Sequence, residues 1–87
     1  MATTRAHLTN LLKKAQKTNW YNINRQPVPF SFVYMNPKYV DWSFTGDEAR
    51  ELYDEINLTV CKAYDEAPHY ATFNEIFTSR QREILGY

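Results

Sequence analysis

Glycine, cysteine and long apolar runs are all scarce in this chain, and each scarcity closes off a class of function. Two glycines in 87 residues leave no glycine-rich loop to cradle a phosphate. A single cysteine, Cys61, cannot form an internal disulfide and fits a reducing compartment. No apolar run approaches the roughly 18 residues of a membrane span, and Met1 to Arg5 lacks the apolar core of a secretory signal. A cytoplasmic protein without a membrane partner is therefore expected. Catalytic groups are equally sparse. His7 and His69 are the only histidines. Neither has ligand spacing with the other or with Cys61, and structural zinc takes four ligands, so neither metal nor cofactor is expected. A general base at His69 needs a nucleophile within hydrogen-bond reach, and the sequence names none. Cys61, next to Val60, reads as a small packing residue. The chain is expected not to be an enzyme.

What is present is enough for a core: 44% of residues are hydrophobic and 16% aromatic. Eighty-seven residues make one domain, 1–87, burying roughly 60–65% of the unfolded surface. Leu8, Leu11, Leu12 and Ala15 recur at i, i+3, i+4 and i+7, which predicts an amphipathic helix over 3–17 capped by Thr3 or Thr4. Phe30, Phe32 and Tyr34 alternate with Ser31, Val33 and Met35, the signature of a strand. Tyr39 to Phe44 alternates too, across the turn residues Asn36-Pro37-Lys38, and the pair reads as an antiparallel hairpin, with Trp20 to Asn24 as a weaker third strand. Thr45 with Glu48 looks like a capping box opening a helix that runs to about Ala67, where Pro68 stops it. Thr72 with Glu75 looks like a second box, opening a last helix that ends near Gly86. The fold class expected is α+β: an N-terminal helix, a two- or three-stranded antiparallel sheet, and two C-terminal helices. His69 and Tyr70 fill the corner between those two helices.

Charge is the sharper signal. The net charge is zero, but residues 1–40 hold six bases and no acid, while residues 41–87 hold ten acids and four bases. Such asymmetry steers association more than it stabilises a fold. Asp47, Glu48, Glu51, Asp54, Glu55, Asp65 and Glu66 crowd the long helix. Carboxylates recurring at about 5–6 Å along a helix can imitate a row of phosphates. Leu58 stands on or beside the same face and could anchor a protein contact. These eight residues, with His69 and Tyr70, form the candidate partner-binding set. The alternative set is basic. Lys13, Lys14, Lys17 and Arg25 with Trp20 combine phosphate neutralisation with a stacking group, as a nucleic-acid-binding protein requires. The order helix, strands, helix resembles that of a double-stranded-RNA-binding domain. That module, however, needs bases at the start of its last helix, where Asp47, Glu48 and Glu51 stand here.

The stretch "EAPHYATFNEIF" resembles a motif of phage-encoded DNA-mimic antirestriction proteins. In that family an acidic helix runs into Pro-His-Tyr, and an acid-Ile-Phe sequence follows closely. The matching positions are Pro68, His69, Tyr70, Glu75, Ile76 and Phe77, preceded by the acidic stretch 47–66. Four residues, Ala71 to Asn74, separate the two halves, and the chain is neutral where the family is acidic throughout. The resemblance implies phage origin and a defence-blocking role in the host-cell cytoplasm. The expectation is a small inhibitor that binds a host restriction, CRISPR or nuclease component stoichiometrically. Its acidic helix would cover a surface that normally holds nucleic acid. A homodimer is open as well, since tyrosines are plentiful.

Overall fold

The structure, a computed structural model, describes residues 3–87. Of the Met1–Arg5 stretch considered above, the first two residues lie outside the described residues. Helix α1 (Thr4–Lys17) starts where Thr3 accepts a hydrogen bond from the Ala6 amide at 3.0 Å. Its stripe Leu8, Leu11, Leu12 and Ala15 is buried, and Lys14 and Lys17 in the last turn suit the negative end of the helix dipole. Strands β1 (Trp20–Tyr21) and β2 (Pro27–Val28) pair antiparallel, Trp20 opposite Val28 and Tyr21 opposite Pro27. The turn between them is held by the Asn22 side chain, which accepts from the amides of Asn24 and Gln26, and it places Arg25 at φ +58°.

The expected hairpin over 28–44 is the main correction. Phe30–Met35 is helix α2, with Phe30 and Val33 buried one turn apart. A six-residue aromatic run fits either period, and the choice falls to its surroundings. Pro29 precedes the run, and Pro37 in the following segment has no amide to donate, so a ladder there would lack a partner. A helix satisfies its own backbone and still buries Phe30 and Val33 against helix α6 (Ser79–Leu85). Pro37–Tyr39 forms a 3-10 turn, and Trp42–Thr45 forms helix α3, capped by Asp41 through the Phe44 amide. One trace of the expected second strand survives, a bridge between Asn22 and Val40. The molecule is mostly helical with a small two-stranded antiparallel sheet, and β1, the weakest strand expectation, is one of its two strands.

Helix α4 (Asp47–Glu66) begins after Gly46, whose φ of +104° and ψ of 162° belong to a region open essentially to glycine. Both predicted capping boxes are replaced. Thr45 belongs to α3, and its hydroxyl meets the backbone of Tyr21 instead of capping α4. Asp47 and Glu48 in the first turn offset the helix dipole. Thr72 lies inside helix α5 (Tyr70–Ile76), which follows Pro68. The C-terminal segment then breaks again, because Thr78 and Gln81 form a reciprocal capping box that opens α6. Gly86, in the left-handed region, closes α6. The core gathers the α1 stripe, Trp20, Phe30, Val33, Ile56, Val60, Ala63, Phe73, Phe77 and Leu85. Helices α1 and α4 form its main seam, and their paired ends show that they run antiparallel: Thr4 meets Glu66, while Lys17 lies near Glu48.

Candidate protein-binding face

The seam fixes what α4 can show to solvent. Ala49, Ile56, Thr59, Val60 and Ala63 turn inward. At 3.6 residues per turn, the opposite side is a line through Asp47, Glu51, Asp54, Leu58, Cys61 and Asp65, all exposed. It spans roughly 27 Å at 1.5 Å per residue. Leu58 protrudes from this ridge with 67% of its surface open, whereas Ile56, two residues earlier, has none. Cys61, expected to pack, is exposed on the same ridge.

The acids divide into two rows. Glu48, Glu55 and Glu66 lean towards α1. Glu55 Oε1 lies 3.4 Å from His7 Nε2, and Glu66 Oε1 accepts from the Thr4 hydroxyl at 2.6 Å. Glu48, Glu51 and Glu55 face Lys14 and Lys17 across an open groove of about 480 Å³. The outer row faces solvent. Asp54 pairs with Arg50 at 3.5 Å, a half-exposed contact worth about 0–1 kcal/mol. Among the described residues, Glu48 and Glu66 of the inner row and Asp47, Glu51 and Asp65 have no basic side-chain nitrogen within 4 Å. Glu51 joins the two rows, on the ridge and at the rim of the groove.

The other flank of α4 is aromatic. Trp42 packs on Tyr53 at 5.1 Å, Tyr53 on Tyr34 at 6.4 Å, and Tyr34 on Tyr87 at 5.8 Å. Tyr87 reaches Tyr64, which stacks flat on Phe73 at 4.5 Å. The Tyr34 and Tyr87 hydroxyls lie 3.1 Å apart. Burial raises the Tyr34 pKa above its ordinary value. Burial first, and hydrogen bonding to a neighbouring tyrosine second, push both Tyr64 and Tyr87 up to about 12. Tyr64, at the edge of the inward face of α4, is 40% exposed. Beyond Pro68 the His69-Tyr70 corner is open, with Tyr70 70% exposed, so the ridge runs into a tyrosine surface. Tyr64 and Tyr87 were missed as surface groups. The signal for Tyr64 was its place at the margin of the α4 stripe. Tyr87 had none, because its position depends on α6 folding back over α2.

The alternative basic set does not form one surface. Trp20 is 2% exposed, donates its indole N–H to the Ala15 carbonyl at 2.8 Å, and is packed on Phe30, so it is closed to a stacking base. Lys14 and Lys17 face the α4 carboxylates. Arg25 pairs with Asp41 at 3.5 Å and lies over the Phe44 ring. Lys13 opens towards α6, beside Arg5 and Arg80. Among the described residues, no three His, Cys, Asp or Glu side chains converge as a metal site, and no helix is long and apolar enough to cross a membrane. No protein-family model, curated protein or solved structure matches the chain.

Proposed function

We propose that this protein is a small phage-type inhibitor that binds a host defence protein stoichiometrically and turns over no substrate. The partner is a nucleic-acid-handling component of a restriction, CRISPR or nuclease system. Asp47, Glu51, Asp54 and Asp65 occupy basic side chains that otherwise hold phosphates, and Leu58 inserts between them. Tyr64, Tyr70 and His69 extend the contact at the helix corner, tyrosine being among the residue types that concentrate binding energy. One observation carries the reading: a continuous exposed ridge whose carboxylates are mostly unpaired and whose midpoint is an exposed leucine. The resemblance of residues 65–77 to antirestriction proteins selects the class of partner.

Cys61 provides the test, because it is the sole cysteine and sits on the ridge. The protein, unlabelled or carrying a bulky maleimide at Cys61, would be titrated into purified restriction and CRISPR effector complexes whose DNA binding is monitored. The unlabelled protein should displace DNA at near-equimolar ratio from at least one complex, more weakly at high salt. The labelled protein should fail. Equal potency of the two forms would remove the ridge from the mechanism. Tight, salt-sensitive binding of DNA or RNA by the protein alone would favour the nucleic-acid-binding alternative.

A further inference from the structure

A second site lies on the edge of α1 away from α4. Between α1 and α6 is a cleft of about 300 Å³. Leu12 and Ile84 supply its apolar lining, and Arg5, Lys13 and Arg80 bring three cations to it from two helices. The walls are tied together. Gln81, buried, donates from Nε2 to the Thr9 hydroxyl while its backbone N–H and side-chain oxygen complete the Thr78 capping box. The two walls are therefore fixed against each other by the fold before any ligand arrives, which lowers the ordering cost of binding. Gln16, Arg80 and Ile84 also line a neighbouring cavity reaching Pro29 and Phe30, so the two form one furrow. Glu83 is the acid that faces this furrow, 3.7 Å from Arg80. Among the described residues, Arg5 and Lys13 have no carboxylate within 4 Å.

We propose that this cleft binds a small amphiphilic anion, a carboxylate or phosphate monoester on a compact apolar body. An apolar cavity with a few convergent polar groups is the usual form of a small-molecule site, and about 300 Å³ is at the small end of that range. Three cations around it select negative charge. Arginine forks match the paired oxygens of carboxylate and phosphate alike. Leu12 and Ile84 give the site a reason to prefer a ligand with a hydrocarbon part over a bare inorganic ion. The site shares no residue with the α4 ridge, so it stands or falls independently of the inhibitor reading.

The test is a titration of the full chain, followed by backbone amide NMR, with four probes: hexanoate, hexyl phosphate, inorganic phosphate and 1-hexanol. Hexanoate or hexyl phosphate should shift α1 and α6 amides around the cleft and saturate, the tighter of the two identifying the head group. Inorganic phosphate and 1-hexanol should each bind at least about tenfold more weakly, since each lacks one half of the recognition. The exposed pair Arg5→Gln/Arg80→Gln should weaken the better probe about tenfold or more with an unchanged amide spectrum elsewhere. Lys17→Gln, on the α4 side of α1, should have no effect. The proposal is overturned if neither alkyl anion saturates by about 10 mM, if 1-hexanol binds as well as they do, or if the double variant binds like the parent.

Discussion

Two rows of carboxylates run along α4 and meet opposite fates. Glu48 and Glu55 face the lysines of α1 across a groove, Glu55 also lies 3.4 Å from His7, and Glu66 accepts from the Thr4 hydroxyl. Asp47, Asp54 and Asp65, roughly a quarter-turn away, face solvent with Leu58 among them. Both rows are carboxylates, glutamates on the side of α1 and aspartates on the outer side, and their angular positions differ. Acidity on a helix is thus no guide to its role until the covered side is known. The inner row is set towards the chain's own basic helix, and the outer row is left to solvent apart from the Asp54–Arg50 pair.

The sharpest way to break that contrast is a pair of truncations two residues apart. Ile56→Ala, in the sealed seam, should destabilise the protein by about 2–5 kcal/mol in urea unfolding. Leu58→Ala, on the ridge, should stay within about 0.5 kcal/mol while weakening target binding. Comparable losses from the two would mean that the ridge is not an outer face. Next in size is Gly46→Ala. No atom lies within 4 Å of the added methyl, so the cost of about 1–3 kcal/mol is purely that of the backbone angle. Fraying of the first turn of α4 should then show as lost amide protection at Asp47 to Arg50.

Charge reversal separates the rows directly. Glu51→Lys/Asp54→Lys should slow association with a target about tenfold and leave the folded state nearly as stable, because exposed charges act mainly on encounter. Glu48→Lys/Glu55→Lys should do the reverse. It places bases against Lys14, Lys17 and His7, costing roughly 1 kcal/mol of stability, with association changed less than threefold. Stopped-flow and denaturation measurements on both variants decide the matter. The smallest effect belongs to the aromatic flank. Tyr64 and Tyr87 bind their protons more tightly when folded, with values pushed from 10.0 up to about 12. Their contribution is complete below pH 10 and is lost as pH rises through about 12. Solvent reaching both part-exposed rings, Tyr64 at 40% and Tyr87 at 51%, reduces this contribution. Tyr64→Phe/Tyr87→Phe should flatten this part of the alkaline loss, seen by following unfolding from pH 9 to 12.

Legibility followed the length of the local signal. Helix α1 and the body of α4 could be read nearly to the residue, since 14 and 20 residues repeat a 3.6-residue stripe, the first opened by a threonine cap and the second stopped by a proline. Residues 20–46 could not, because runs of four to six aromatic and β-branched residues satisfy both periods. The Thr45 and Thr72 boxes were sound patterns at the wrong address. Thr45 found a partner in β1, and the box at Thr78 and Gln81 took over the C-terminal segment. Trp20, expected to stack on bases, was claimed by the core.

By itself the sequence determined the separation of positive and negative halves, the two long helices, the stop at Pro68 and the left-handed end at Gly86, all of which rest on contacts within a few residues. Tertiary structure alone decided which carboxylates turn towards α1 and which face solvent, that Phe30–Met35 coils, that Tyr64 and Tyr87 meet at the surface, and that Arg5, Lys13 and Arg80 surround one cleft. Local preferences are worth tenths of a kcal/mol per residue, and the burial of a single large side chain is worth about 1.5–3 kcal/mol. Where the two compete, packing wins, and packing partners lie far apart along the chain.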